Sequence, residues 1–469
     1  MHRGLHSGRA GYRKAAGITL AATLGLGAVA ACSSSGSSTT GTTTTSNQPV
    51  SITVACAPPT TNTAQVQAWN SDVKAFEKIY PYITVHSIYA AQCIDAQTQT
   101  AQLAAGTEPN VYGVYFGSLD TTLDAGQAAD ITSYVKAGDV PTWNDLVPSA
   151  KAAVTAGTSI YGIPYYNYSQ GLIYNRQLFT EAGLNPDQPP TTWAQVESDA
   201  VAITKLGHGI YGWGDYSAGN NGGWHFSSEI DANGGAVTNT AGTSATINTA
   251  AGMQVLQALH TLRFTDKAMS ATQALAWGTL QQQFAEGKLG MYIGAPDDIY
   301  NVIVPTDKGN IDDIGMGALP SESGTPAGTL SGGNYFAFAK KDTPAQIEAG
   351  IKWINYEDLT LGQGQFNYAR IKSQGQPVGF DEPQLFQGSE NTKYQALLSK
   401  YSTINQSYYT QFVNTPETPD GQPVDDQALY KTMDPMMLAV LTEANVNLSQ
   451  LMTTTTNNLN SVLSDANGG

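Results

Sequence analysis

The sequence predicts an α/β fold that is divided into two lobes. From residue 50 onward, short segments rich in Val, Ile and Tyr alternate with segments whose apolar residues recur every three or four positions. This strand–helix–strand order implies a parallel sheet. About 420 residues follow residue 47, which is more than one hydrophobic core usually serves, so we expect two lobes.

The first strand is predicted at Val50 to Ala55, where apolar residues alternate with small or polar ones. A helix follows, because apolar residues recur at helical spacing from Val66 to Phe76 and the pattern stops before Pro81. The loops that leave the carboxyl ends of parallel strands usually form a ligand crevice. The remaining elements of this first sheet are predicted at Ile83 to Ile88, Gln97 to Ala105 and Asn110 to Phe116.

Two later helices are marked by their own capping signals. Thr192 and Gln195 fit a capping box, and an apolar stripe runs from Val196 to Leu206. A second helix is predicted over Asp342 to Asn355, with Pro344 in its first turn. Both patterns are local, so they indicate helices whatever the rest of the chain does.

The first 31 residues are typical of a secretion signal. Four cationic side chains precede an apolar run, Ala15 to Ala31. This run is too short, and its side chains are too small, for a stable membrane span. The run ends in Leu-Gly-Ala-Val-Ala-Ala before Cys32, which resembles the bacterial lipobox. We therefore expect residues 1–31 to be removed and Cys32 to be acylated, as the lipid anchor of the mature protein.

Residues 32–47 are predicted to tether the folded body. The fifteen residues from Ser33 to Asn47 are uncharged and carry no apolar side chain, so they cannot bury a core. Random-coil scaling gives the segment a span of roughly 20 Å. The alternative, a secretion signal followed by an incidental cysteine, does not explain this composition.

Charge and cysteine content restrict the partners and the compartment. Loss of residues 1–31 shifts the formal net charge from −16 to −20, which argues against nucleic acid as a partner. An exported chain meets an oxidising environment. If Cys32 carries lipid, Cys56 and Cys93 remain as a pair, and both follow predicted strands at the same rim, so we expect a disulfide between them.

Nine short blocks, in order along the chain, resemble bacterial extracellular solute-binding protein family 1, the sugar-binding family that includes maltose-binding protein. Each block is weakly specific alone, but together they cover nearly the whole chain. They are Leu103–Gly106, Ala125–Gln127, Tyr161–Tyr166, Gly171–Phe179, Pro190–Trp193, Asn233–Gly235, Phe284–Met291, Ala318–Pro320 and Ser331–Gly333.

The resemblance implies a type II periplasmic-binding-protein-like fold, with a ligand cleft between two α/β lobes and a hinge of three crossings. The crossings are expected near Tyr166 to Ser169, Gly332 to Tyr335 and Gly375 to Phe380. Lobe 1 would hold residues 48–168 and 335–376. Lobe 2 would hold residues 169–334 and 377–469.

The resemblance also implies a function. The protein would be the lipid-anchored substrate-binding component of an ABC importer, a monomer on the extracellular face of the cell membrane. It would capture a mono- or oligosaccharide by lobe closure and deliver it to the permease subunits. No enzyme activity, cofactor or metal is expected.

A sugar-binding site needs planar hydrogen-bonding groups for hydroxyls and flat aromatic rings for the C–H face. Trp224 stands before Asn233-Gly234-Gly235, where the family commonly has a ligand-facing aromatic residue; the alternative is core packing. Where the family often places a Trp after Gly290-Met291, this chain has Asp297-Asp298. Asp297 is therefore a hydrogen-bonding or cation-recognising candidate, or else a helix N-cap.

Further candidates lie near the crossings and on the rim of the first sheet. Of Tyr165 and Tyr166, one is expected in the cleft and the other in packing, and hinge geometry alone could account for Gly332 and Gly333. His225 is a candidate because it adjoins Trp224. The other candidates are Thr61, Asn62, Gln92, Tyr115, Ser118, Asp120, Asn334 and Tyr335.

Two alternatives remain open from the sequence. The same fold could bind a peptide, a polyamine or another amine, which acidic and aromatic side chains would also suit. A secreted glycoside hydrolase is less consistent, because adjacent carboxylates such as Asp297 and Asp298 rarely flank one bond. The sequence contains no nucleophile elbow, zinc-protease helix or phosphate loop.

Overall fold

The computed structural model describes residues 48–90, 93, 95–379, 385–418, 423 and 425–466. The predicted signal, tether and lipidation site at Cys32 lie outside this range, and so does Gln92. Within the described part of the chain, no helix combines the length and apolarity needed to cross a membrane.

The described residues form strands and helices in alternation through most of the chain. The strands are β1 (Val50–Ala57), β2 (Ile83–Tyr89), β3 (Val111–Tyr115), β4 (Thr155–Ala156), β5 (Ser159–Ile160), β6 (Gly162–Ser169), β7 (Gly171–Asn175), β8 (Tyr211–Trp213), β9 (Leu289–Gly294), β10 (Ile314–Gly317) and β11 (Ser331–Phe338). The helices are α1 (Thr63–Ile79), α2 (Ala96–Ala105), α3 (Leu119–Asp124), α4 (Thr132–Ala137), α5 (Pro148–Ala152), α6 (Arg176–Glu181), α7 (Trp193–Thr204), α8 (Asn221–Ala232), α9 (Ala250–His260), α10 (Thr279–Ala285), α11 (Pro344–Ile354), α12 (Tyr368–Ser373), α13 (Gly388–Tyr401), α14 (Thr410–Val413), α15 (Asp426–Thr442) and α16 (Leu448–Ala466).

Local signals fix several helix starts. The predicted capping box at Thr192 is confirmed, because its side chain accepts from the backbone of Gln195 while the Gln195 side chain accepts in return. Thr343 and Gln346 form the same arrangement ahead of Pro344 at the start of α11. Each box satisfies backbone N–H groups that the first turn leaves without partners.

The first lobe is built on a five-stranded sheet with the order β2-β1-β3-β11-β6. β1 pairs in parallel with β2 and β3, as the sequence predicts, whereas β11 runs antiparallel to both β3 and β6. The sheet is therefore mixed rather than purely parallel. Helices α1 and α11 cover it and bury a core that includes Ile52, Phe76, Phe338 and Trp353.

The second lobe is built on a four-stranded sheet with the order β10-β7-β9-β8. β7 is antiparallel to β9 and β10, and β8 is parallel to β9. Helices α7, α8, α9, α15 and α16 surround a separate core that includes Trp193, Trp213, Phe226 and Met433. The chain thus has the two cores that its length predicts.

Two strand-like crossings run side by side between the lobes. β6 ends at Ser169 in the first sheet and β7 begins at Gly171 in the second, so Gln170 is the first crossing. The second crossing reaches β11 through Thr329 and Leu330. Thr329 Oγ1 donates to the backbone carbonyl of Gln170 at 2.6 Å. The backbone N–H of Gln170 donates to the backbone carbonyl of Leu330 at 3.3 Å.

The third crossing lies later in the chain than the sequence predicts, which was near residues 375–380. Leu385, Phe386 and helix α13 pack into the first core, and Leu146 bridges Phe386 there. The chain enters the second lobe only after Tyr401, where Tyr409 and Phe412 pack against the sheet that contains β10. Residues 385–401 therefore belong with the first lobe rather than the second.

Candidate functional site

A cavity of about 1480 Å³ lies between residues of the two lobes. Its first-lobe wall is formed by the segments that follow β1 and β3, together with parts of β6 and β11. Its second-lobe wall is formed by the start of α8, the residues before α10 and those that follow β9. This is the edge of the first sheet at which ligand residues are expected.

Aromatic rings from both lobes form one continuous surface in the cavity. Trp224 on α8 is half-buried and meets Tyr168 edge-on, with ring centroids 6.0 Å apart. Tyr168 stacks with Tyr166 at 5.9 Å, and the Tyr300 hydroxyl donates to the Tyr166 hydroxyl at 3.1 Å. The rings thus offer an apolar face that reaches from the second lobe to the first.

The glycine-rich segment ahead of Trp224 is helical, although glycine usually destabilises a helix. It forms the first turn of α8. A Cβ on Gly223 would lie 2.3 Å from the carbonyl oxygen of Tyr430 and 2.5 Å from its Cα. These glycines therefore allow α8 to approach α15 closely. Trp224, the next residue of α8, lines the cavity beside this contact.

Asp297 lines the cavity directly after β9. Its backbone is already helical, with φ −64° and ψ −27°, whereas an N-cap residue usually has an extended backbone. The structure therefore does not support the N-cap alternative. Burial raises the pKa of Asp297 to about 6, an effect that neighbouring backbone N–H groups partly offset.

The neighbouring carboxylate, Asp298, is fully buried and holds an aromatic residue in place. It accepts hydrogen bonds from the indole Nε1 of Trp277 and from the hydroxyl of Tyr292, each at 3.0 Å. Burial, together with the charge of Asp297, raises the pKa of Asp298 to about 8. Since Trp277 lines the cavity, Asp298 is a positioning residue for this part of the wall.

The first-lobe wall contains the predicted disulfide. Cys56 and Cys93 are bonded, with Cα atoms 4.4 Å apart and a sequence separation of 37. Both sulfurs lie near the hydroxyl of Tyr165, at 4.0 and 3.8 Å. Tyr165 stacks on Phe336 at 4.2 Å and also accepts from Asn334 Nδ2 at 3.5 Å. The bond thus helps to fix Tyr165 at the cavity.

Most of the predicted site residues are brought together at the cavity. Tyr165 and Tyr166 both line it, so the expectation that only one of them does is wrong. The other predicted residues on the wall are Thr61, Tyr115, Ser118, Trp224, Asp297 and Asn334.

Several predicted residues lie elsewhere for clear structural reasons. Asn62 caps α1 by accepting from the amide of Gln65, and Asp120 is exposed on α3. Tyr335 is buried in the first lobe, because it follows Asn334 in a strand and adjacent strand residues face opposite sides. His225 is also fully buried, with Nδ1 2.8 Å from Asp215.

Gly332 and Gly333 are part of β11 and lie outside the cavity wall. A Cβ on Gly333 would lie 2.4 Å from the carbonyl oxygen of Tyr166 and 2.3 Å from the ring of Phe116. Close strand packing therefore requires this glycine. Packing within the first sheet therefore accounts for Gly333, rather than ligand contact or hinge geometry, the alternative that the sequence left open.

Sequence reasoning missed many residues of the cavity wall, among them two amides that join the lobes and three aromatic residues. Gln65 and Asn301 face each other from opposite lobes, and Gln65 Nε2 donates to Asn301 Oδ1 at 3.3 Å. The missed aromatic residues are Tyr168, Trp277 and Tyr300. Tyr168 follows the predicted Tyr165-Tyr166 pair at the strand spacing of two, which is the signal that could have found it.

A cavity between two α/β lobes, beside paired interlobe crossings, defines a two-lobed ligand-binding protein. The family model described as bacterial extracellular solute-binding protein matches residues 60–356. The chain belongs to this family, which confirms the resemblance stated from the sequence blocks.

Known relatives are distant in sequence and close in fold. A binding protein of Brucella abortus (strain 2308) is 26% identical over 227 residues, which is 48% of this chain. The chain spans about half of that relative's length, 53%. A solute-binding protein of an ABC transporter from Thermotoga lettingae TMO, bound with α-D-tagatose, has a TM-score of 0.70 at 19% identity and covers 88% of this chain and 99% of its own.

The fold of this chain is about equally similar to that of the GacH receptor of Streptomyces glaucescens GLA.O. That receptor has structures in the unliganded form and in complex with acarbose. Its TM-score is 0.69 at 18% identity, with coverage of 88% of this chain and 98% of its own. At these identities the two structures establish the two-lobed fold.

Proposed function

We propose that this protein captures a carbohydrate outside the cell and delivers it to the permease of an ABC importer. The observation that carries the proposal is the composition of the cavity wall. Trp224 and Trp277 on the second lobe line the same cavity as the polar residues Thr61, Gln65 and Asn334 on the first. Rings suit the C–H face of a sugar, and amides and hydroxyls suit its hydroxyl groups.

The size of the cavity supports a ligand larger than one sugar ring. Typical small-molecule sites have volumes of about 300–1,000 Å³, and this cavity measures about 1480 Å³. A short oligosaccharide would use this space. Contacts from both lobes would then favour the closed state, since a ligand shifts a conformational equilibrium toward the state that it contacts more.

The names of the structural relatives agree with a carbohydrate. The Thermotoga protein is bound with α-D-tagatose and the Streptomyces receptor with acarbose. Both have the fold of this chain, although the identities are below 20%. They support the ligand class without specifying the sugar.

A binding role, without catalysis, fits the arrangement of the adjacent carboxylates Asp297 and Asp298. A glycosidase needs two carboxylates that flank one bond, at least about 5 Å apart. Asp298 is fully buried and accepts from Trp277 and Tyr292, so it does not face the cavity beside Asp297. The neighbouring pair therefore lacks the arrangement of glycosidase acids.

Isothermal titration calorimetry with a panel of neutral and amine-bearing sugars tests the proposal. We expect saturable binding of one sugar per protein, and the recovered sugar should be chemically unchanged when analysed by chromatography. Binding of a polyamine or a peptide, with no heat from any sugar, would contradict the carbohydrate assignment. Cleavage of a bound glycoside would contradict the binding-only role.

We also propose that acylated Cys32 attaches the protein to the outer face of the cell membrane. The support is the lipobox-like run before Cys32 and the uncharged segment after it. Replacing Cys32 with Ala should move the protein from the membrane fraction to the medium or leave its signal unprocessed. Retention of the variant in the membrane fraction, like the parent and with no acyl mass on either, would contradict the anchor.

A further inference from the structure

The charged side chains around the cavity are mostly acidic. Among the described residues that line it, five are carboxylates and two are cations. One cation, Arg370, is already engaged, because it pairs with Asp72 and donates to the Gly364 carbonyl at 3.0 Å. The other, Lys431, is exposed on α15. The wall therefore has an excess of negative charge.

Two further carboxylates, buried behind the wall rather than on it, lie near Asp297 or the adjoining Tyr168. Asp298 is the next residue, and Asp426 at the start of α15 accepts from Ser118 Oγ at 3.2 Å. Burial, followed by the charges of Asp426 and Asp297, raises the pKa of Tyr168, so both carboxylates lie near this ring. None of the three is among the ion pairs found in the described part of the chain.

We infer that the carbohydrate bound in this cavity carries a protonated amino group, which lies beside Asp297 and against the rings of Trp224 and Trp277. The inference rests on the proposed carbohydrate function and specifies its ligand class. An ammonium group donates to a carboxylate in a charge-assisted hydrogen bond. It is also attracted to the face of an aromatic ring, most strongly that of Trp.

A neutral sugar would satisfy this wall less well. Its hydroxyls can donate to Asp297, but they leave the negative charge without compensation while the closing lobes remove water from it. An amino sugar supplies both the donor and the opposite charge. A simple amine or polyamine would compensate the charge but would leave the polar wall at Thr61, Gln65 and Asn334 without hydroxyl partners.

The test compares two oligomers that differ only at nitrogen. The probes are a trimer of β-1,4-linked glucosamine and the same trimer with every amine acetylated. Each is titrated by calorimetry into the protein at pH 7, above the pKa of about 6 to which burial raises Asp297. We expect the amine-bearing trimer to bind at least about tenfold more tightly. Its affinity should also fall as salt is raised, since screening weakens charge pairs.

A charge-removing variant and a matched control locate the effect. Asp297→Asn keeps the shape of the side chain and should reduce the preference for the amine to within about threefold. Asp312→Asn makes the same change at an exposed position of the second lobe that lies outside the cavity wall, and it should leave the preference intact. If Asp297→Asn does not fold, the salt dependence of the parent protein still tests whether the amine is held by charge, and a salt-independent affinity would overturn the inference.

The outcomes separate this inference from the proposed function. If the acetylated trimer or neutral maltotriose binds as tightly as the amine-bearing trimer, the inference is overturned and the carbohydrate function stands. If spermidine binds and none of the sugars does, the proposed function fails and this inference fails with it. A preference for the amine that persists in Asp297→Asn overturns the assigned position.

Discussion

Single residues at this cavity combine ligand-facing surface with packing. Trp224 presents its ring to the cavity, yet it also contacts Tyr168 and the buried His225, whose ring lies 5.3 Å away. The sequence offered ligand contact and core packing as alternatives for this residue. The structure shows that Trp224 does both, because it lines the cavity and its ring also packs near His225. A pattern of residue types cannot reveal such a double role.

Trp224→Ala should weaken sugar binding much more than it lowers stability. Loss of the stacking surface costs about 1.5–3 kcal/mol of burial, which is tenfold or more in affinity. Trp213→Ala is the matched control, since Trp213 is 1% exposed and belongs to the core of the second lobe. Calorimetry and thermal denaturation of both variants measure the two effects. A larger fall in Tm for Trp224→Ala than for Trp213→Ala would favour core packing.

The buried carboxylate of Asp298 should make stability depend on pH. The pKa of this group is raised to about 8 in the folded protein by burial and by the nearby charge of Asp297. The folded state therefore binds the proton more tightly than the unfolded state, and its contribution to stability is lost as pH rises from about 4 to about 8. Tyr216, Tyr292, Gln281 and Trp277 are the other polar groups that face it.

Asp298→Asn removes this titration while it keeps a hydrogen-bond acceptor for Trp277. The Tm of the variant minus that of the parent should therefore be more positive at pH 8.5 than at pH 4.5. Asp312→Asn, an exposed carboxylate of the same lobe, should show no such trend. A Tm difference for Asp298→Asn that does not change across this range would contradict the assignment.

At the scale of elements, the contact between α8 and α15 determines where the second-lobe aromatic wall stands. A helix interior usually disfavours glycine, so the glycines before Trp224 do not by themselves indicate a helix. The glycines are instead required by a helix that is distant in sequence. Capping boxes and strands β1 to β3 were predictable because their signals are local, whereas α8 and the third crossing depend on long-range packing.

Gly223→Ala should destabilise the protein more than Gly222→Ala. The added Cβ at residue 223 would lie 2.3 Å from a backbone atom of Tyr430, whereas the nearest atom at residue 222 is 2.9 Å away. Overpacking of this kind typically costs about 1–3 kcal/mol, and the shorter contacts at residue 223 require the larger backbone shift. Chemical denaturation of the two variants measures the difference. Equal stability would show that α15 moves freely relative to α8.

At the scale of the whole molecule, two cores with paired crossings create a cavity to which both lobes contribute. The sequence predicted this architecture through chain length and family resemblance, and it predicted the disulfide and part of the first-lobe wall. It could not predict which strand face Asn334 and Tyr335 would take, or that α13 joins the first lobe. Those outcomes depend on register and on contacts between segments more than 200 residues apart.

The described conformation has the lobes in contact across the cavity, through Gln65 with Asn301 and Tyr300 with Tyr166. A ligand that touches both walls should favour this arrangement over more open ones. The ligand-free protein in solution is then expected to sample wider separations of the lobes. Ligand capture and lobe closure would be the same event.

Small-angle X-ray scattering, with and without a saturating sugar selected by calorimetry, tests the central claim that the ligand is held between the lobes. We expect the radius of gyration to decrease on binding and the curve of the complex to match the described conformation. Identical curves with and without the bound sugar, both giving a radius of gyration larger than that of the described conformation, would contradict a site that is shared by the two lobes.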